Sequence, residues 1–389
     1  MYANMKRMNN DMAVSPIVAT LVLIVVAVIG AVAVGTIMGT FSSDVSKNTN
    51  AQQAASESAT EILIAGSTTL IPAELNLQAD YSRANPGVQL NVQGGGSSEG
   101  PQAVALGIAD IGAVSSGSKI TAAQTANPTD PIYQNFYFTQ IGGRGVVFIM
   151  HNDNTAVTLN TFNTYAVSAQ DLYFAYQNVT SAGVTSAAEG NITKGTQLYQ
   201  REAGSGTMST AFKFMGFNST PGTTADIADN GLNNGIPTEN GNAAMLTAVQ
   251  GKAQSLGFVD SGYAITGGIT SNTTANSITL LNVITSTSPS GGYTPTHTNI
   301  KSALKDWYYG NAQDTTLGPN YPSGSTGLVG GLYWVTKGNS PSAFTGNQVT
   351  TAGTSAAGSD VTGLIAFAKS PAEAAAFNNA GMYSMYDFI

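Results

Sequence analysis

The sequence predicts an α/β protein with a mostly parallel sheet, preceded by one long apolar helix. Three observations point there. From residue 61 onward, short apolar runs alternate with Gly/Ser-rich turns and helix-like segments, the pattern of strands joined through helices. Residues 12–43 carry no charged side chain. Hydrophobic residues make up 42% of the 389, enough to build a core rather than a disordered chain.

Charged residues amount to 9%, with a net charge of −8, where an ordinary soluble domain has about 25%. Nucleic-acid binding through counterion release needs clustered cations, so no nucleic-acid partner is expected. The cysteine count, Cys 0, excludes disulfides, thiolate metal sites and cysteine nucleophiles. With His 2, no metal site, cofactor or rich acid–base apparatus is expected.

Residues 13–41 form the apolar core of the N-terminal segment. As a helix they reach about 43 Å, against about 30 Å of bilayer hydrocarbon. That is too long for the apolar stretch of a secretory signal, so a membrane anchor is expected. Lys6 and Arg7 precede it, which favours a cytoplasmic N-terminus and an exterior bulk. Ala27, Ala31, Gly35 and Gly39 recur every four residues, a small-residue stripe on which helices pack closely. It makes self-assembly a further expected partnership. The short charged leader before Ala13-Val14-Ser15-Pro16 resembles the N-terminus of archaeal type IV pilins. That resemblance implies a leader at 1–12 that is cut off and a helix at 13–43 that bundles into a filament or waits in the membrane. Met12-Ala13 departs from the basic residue and Gly usual before the cut. Residues 44–59, rich in Ser, Asn, Ala and Gln, read as a spacer.

The globular part then unfolds in order. Residues 61–65 read as a strand, 66–69 as a turn and 72–83 as a helix. Residues 88–92 alternate as a second strand, Gly94-Gly95-Gly96-Ser97-Ser98 turns, and a helix starts at Pro101; residues 108–114 form a third strand. Ligands of such sheets sit beyond the carboxyl ends of the strands, where these turns fall. Ser67, Thr68 and Thr69 follow the first strand, Ser97 and Ser98 the second, Ser115 and Ser116 the third. Far along, Arg201-Glu202-Ala203-Gly204-Ser205-Gly206-Thr207 leads into a helix-like 209–215. One Ser or Thr before a helix is ordinarily an N-cap. Four such turns offer hydroxyls and free backbone N–H groups at helix N-termini, where the dipole favours an anion. Arg201 adds one charge-assisted contact. The pattern suits a tetrahedral oxyanion held by many neutral donors.

These segments, together with Ala109-Asp110-Ile111-Gly112-Ala113, Gln140-Ile141-Gly142-Gly143, Leu256-Gly257-Phe258-Val259 with Gly262-Tyr263, and 332–336 before Ser370-Pro371, resemble in order the phosphate-binding proteins of ABC importers. The likeness covers roughly residues 60–389. It implies the type II periplasmic-binding architecture, two hinged α/β lobes, here 60–145 with 265–389 and 146–264. It also implies phosphate contact through Thr68, Thr69, Ser97, Ser98, Arg201, Ser205, Gly206 and Thr207, with Ser67, Ser115 and Ser116 alongside, and an importer's membrane subunits as partner. Val114-Ser115-Ser116 stands where well-known members carry an aspartate, and Met208 where many carry a second basic residue.

Gly96-Ser97-Ser98-Glu99-Gly100 also fits the G-x-S-x-G elbow of hydrolases. A hydrolase needs a base, and only His151 and His297 exist; no enzyme is expected. The contest lies between a tethered cell-surface receptor that hands phosphate to an importer and a filament subunit whose exterior domain keeps a binding fold for structure or adhesion. Sequons at Asn178, Asn191, Asn218 and Asn272 fit an exterior domain.

Overall fold

The computed structural model describes residues 60–387 except 181–182, 186–190, 218–226, 267–268, 270–276, 287, 289–290, 311–320, 324–325 and 345–350. The expected leader, the helix at 13–43 with its stripe Ala27, Ala31, Gly35 and Gly39, the spacer at 44–59, and the sequons Asn218 and Asn272 lie outside the described residues. Among the described residues no helix is long and apolar enough to cross a membrane.

The chain opens with β1 (Thr60–Gly66), α1 (Ile71–Ala84), β2 (Val88–Gly94), α2 (Glu99–Ala105) and β3 (Ile111–Val114). Pro72 sits in the first turn of α1, where its missing N–H has no intrahelical acceptor to lose. Ala73, Leu77 and Tyr81 form the buried face, four residues apart as one side of a helix requires. β2 and β3 flank β1, both parallel to it. The third strand starts at Ile111 rather than at 108. Residues 108 and 109 instead close the end of α2, their N–H groups donating to the Ala103 carbonyl. Likewise α2 begins at Glu99, two residues before the expected start at Pro101.

After α3 (Ser118–Ala126) comes β4 (Tyr137–His151), the element that makes two lobes out of one sheet. Later strands are β5 (Gln197–Leu198), β6 (Gln200–Arg201), β7 (Ser255–Asp260), β8 (Ile278–Leu280) and β9 (Val329–Thr336). Residues 137–145 of β4 pair antiparallel with β9, and 146–150 pair antiparallel with β7. The strand order is β2-β1-β3-β9-β4-β7-β5. β4 therefore changes neighbours in mid-course, between Gly145 and Val146. Beyond the expected lobe boundary at 264, β8 still pairs with residues 149–151 of β4.

Two buried clusters form the core, and the larger one crosses this division, joining Val114 and Phe138 to Phe148 and Phe258. One gathers Ile62, Ile64, Leu77, Leu90, Trp334 and Leu364 around the parallel strands. The larger includes Phe148, Tyr176, Phe212, Met208 and Phe258. There Phe212 lies edge-on to Tyr176 and Phe258, with ring centroids 5.5 and 5.9 Å away, the favourable geometry for aromatic quadrupoles. Met208 is fully buried in this cluster.

Candidate anion-binding site

The turns after β1, β2 and β3 converge because glycine lets the strand ends approach. At Gly66, φ is +134°, and a Cβ there would come within 2.4 Å of the Ala113 carbonyl oxygen; only glycine fits. The Ser67 N–H donates to that carbonyl at 2.9 Å. Ser67 and Thr69 are buried and Thr68 half-buried.

The second and third turns meet through hydroxyls. Ser97 Oγ and Ser115 Oγ lie 2.9 Å apart, and the Ser115 N–H donates to Ser97 Oγ at 3.1 Å. Ser98 occupies the N-cap position of α2 without capping it. Its N–H and its hydroxyl both donate to the Gly204 carbonyl, at 3.2 and 3.4 Å. Ser116 is turned elsewhere, its hydroxyl 3.0 Å from that of Ser118, which in turn meets Ser209.

The fourth turn precedes α4 (Gly206–Met215). Ser205 is a working N-cap, its hydroxyl accepting from the Met208 N–H at 3.3 Å. Thr207 Oγ1 lies 3.2 Å from Thr69 Oγ1. At Gly206 a Cβ would sit 2.4 Å from Ser115 Oγ and 2.8 Å from Ser97 Oγ. Gly206→Ala should therefore push two hydroxyls out of place. Because overpacking costs about 1–3 kcal/mol, the affinity of an oxyanion held by these hydroxyls is expected to fall about fivefold or more. Titration calorimetry checks this, and an unchanged affinity would mean that the hydroxyls do not touch the ligand.

Arg201 enters this cluster fully buried and already paired. Its Nε and Nη2 donate to the two carboxylate oxygens of Glu202, each at 2.8 Å. Nη1 donates to Asn242 Oδ1 at 2.7 Å and Nη2 to Thr68 Oγ1 at 3.3 Å. A bidentate Glu202 was not foreseen; the sequence marked the arginine and passed over its neighbour.

Three further residues join that sequence reasoning did not place. Asn242, the first residue of α5 (Asn242–Gln250), donates to Thr69 Oγ1 at 3.2 Å and accepts from the Asp260 N–H at 3.0 Å. A local signal existed, because Gly241 at φ +91° introduces it. Tyr263, noted only as part of a matching segment, donates to the Thr68 carbonyl at 2.9 Å, and burial pushes its hydroxyl up to about 12. Arg144, inside β4, forms a buried ion pair with Asp260 at 3.3 Å. Burial pushes the Asp260 carboxyl up to about 6, against the downward pull of Arg144 and Arg201. The cluster thus balances two guanidinium groups with two carboxylates, and its surplus lies in neutral donors.

The two histidines are engaged elsewhere. His151 Nδ1 lies 3.4 Å from Asp153, and His297 stacks on Tyr383 with centroids 4.6 Å apart. The Ser98 hydroxyl bonds to a carbonyl, so the G-x-S-x-G segment serves contact between turns here.

A two-lobed α/β fold, with buried hydroxyl-rich turns meeting where a strand passes between lobes, defines a solute-binding class of protein. Residues 51–311 match the family model of the PBP superfamily domain, and the chain belongs to that superfamily. No curated protein matches it. Among solved structures it is similar to a Clostridium perfringens protein crystallised with bound phosphate, at 14% identity and TM-score 0.52, covering 84% of this chain and 100% of that one. It is also similar to a human phosphate binding apolipoprotein, at 14% identity and TM-score 0.52, covering 83% and 91%. At these identities the likeness speaks for the fold.

Proposed function

We propose that the chain is a non-enzymatic receptor that captures phosphate, or a similar tetrahedral oxyanion, and passes it to an ABC importer. The observation that carries this reading is the close approach of four turns: Thr69 meets Thr207, Ser97 meets Ser115 beside Gly206, and Thr68 accepts from Arg201. Hydroxyls and helix N-terminal N–H groups stabilise an oxyanion without a large opposing charge, which suits a chain of net charge −8. In this reading Ser67 joins the contact shell through its hydroxyl and Ser116 through its backbone N–H, while Ser98 and Ser205 hold the turns in place through their bonds to Gly204 and Met208. Membership of the superfamily and the fold shared with a phosphate-bound protein support it.

The lobes belong to the same proposal. The division into 60–145 with 265–389 and 146–264 fits the partner change in β4, while the pairing of β8 favours a later second crossing. The uncharged run at 13–43 supports tethering at the cell surface. The stripe Ala27, Ala31, Gly35 and Gly39 supports a filament as a second use of the same chain.

Titration calorimetry on the full chain in detergent micelles tests the reading. Phosphate is expected to bind with micromolar or better affinity. Sulfate should compete more than it would against a site with a dedicated acceptor, because a serine hydroxyl donates as readily as it accepts. An absence of heat and of thermal shift with phosphate, sulfate and arsenate alike would overturn it.

A further inference from the structure

We propose that Arg144 is a positioning residue for the anion, acting through the peptide groups 115–116 and 206–207 rather than by touching the ligand. The inference rests on the anion-binding reading above and deepens it. Arg144 lies next to the point where β4 changes partners, and its side chain is fully buried. Its donors reach both lobes. Nε donates to the Ser115 carbonyl at 2.5 Å, in the turn after β3. Nη2 donates to the Gly206 carbonyl at 3.1 Å and to Thr210 Oγ1 at 2.7 Å, on α4. Nη1 pairs with Asp260.

Both carbonyls belong to turns that build the candidate site. Ser115 meets Ser97 through its hydroxyl, and Gly206 packs against both of those oxygens. A planar trans peptide points its N–H opposite to its C=O. A guanidinium fastened to the two carbonyls therefore leaves the N–H groups of Ser116 and Thr207 directed away from it. The first N–H groups of a helix have no acceptor within the helix, so that of Thr207 is available to a ligand. A cation on the carbonyl side polarises each peptide and strengthens its N–H as a donor. One rigid fork also fixes the spacing of two turns that come from different lobes. Arg144 thus supplies both geometry and field, while the Asp260 carboxylate partly cancels that field.

This arrangement predicts opposite signs for two substitutions. Arg144→Gln removes the charge and should weaken phosphate binding about tenfold or more in titration calorimetry. Arg144→Lys keeps the charge without the fork and should recover part of the loss. Asp260→Asn removes the cancelling charge and should tighten binding about threefold to tenfold. A merely structural prop would weaken binding in all three variants, in step with a falling melting temperature. Weaker binding by Asp260→Asn would overturn the proposal, as would Arg144→Gln binding within about twofold of wild type. If Arg144→Gln does not fold, the sign for Asp260→Asn decides. A wild type that binds no oxyanion overturns the receptor reading and this one together; a binding wild type with unaltered variants overturns only this one.

Discussion

Arg201→Ala is expected to weaken phosphate binding by ~2–5 kcal/mol, the range for truncating one partner of a buried, hydrogen-bonded charge pair. The size follows from what the side chain holds. Arg201 is 1% exposed and bonds to Glu202, Asn242 and Thr68 at once. Its loss removes a charge-assisted donor and also strands the Glu202 carboxylate, only 16% exposed, beside the anion. The second effect can be separated from the first. Arg201→Ala with Glu202→Gln should bind better than Arg201→Ala alone, since no uncompensated carboxylate then repels the ligand. Calorimetry at fixed low ionic strength reads both, because added salt would mask the repulsion. A loss under about tenfold for the single variant would show that Arg201 braces the turn and does not hold the anion.

What the sequence disclosed and what it hid have one physical origin. The turns after β1, β2 and β3 were legible because their chemistry is local: glycine, then hydroxyls, then a helix start. Arg201 stood out for the same reason, a lone cation in a Gly-Ser-Gly-Thr segment. Arg144 sits before the apolar run 146–150 and reads as an ordinary strand residue. Its meaning comes from Asp260, 116 positions away, and Gly206, 62 positions away. Asn242 finds Thr69 across 173 positions. No window of neighbouring residues contains such a pair. The roles within each turn were hidden too. Ser98 and Ser205 read alike as phosphate-contact residues, yet Ser98 reaches across to Gly204 and Ser205 caps α4. Which hydroxyl turns inward depends on the strand-end approach fixed by Gly66 and Gly206, and composition does not encode it.

The largest expected effect on stability belongs to Glu74, which lies outside the ligand-site turns. It lies in the first turn of α1, 1% exposed, and its Oε1 accepts from Trp334 Nε1 at 2.8 Å. Burial pushes its carboxyl up to about 8 from an ordinary 4.5, with the Trp334 bond pulling only partly back. The folded state therefore prefers the protonated acid more than the unfolded chain does. That contribution is fully present below about pH 4.5 and is lost as pH rises through about 8. Asp260 works in the same direction over a lower window, from about 3.8 to about 6. Wild type should accordingly lose stability between pH 5 and 9, by on the order of a few kcal/mol for Glu74 at 1.36 kcal/mol per pH unit. Glu74→Gln keeps an oxygen for Trp334 and cannot ionise. Melting curves of the two proteins should nearly coincide at pH 5 and separate toward pH 9, with the variant higher. Curves that stay parallel across that range would mean that Glu74 remains ionised in the folded protein, paired with a charge that its burial beside Trp334 does not reveal.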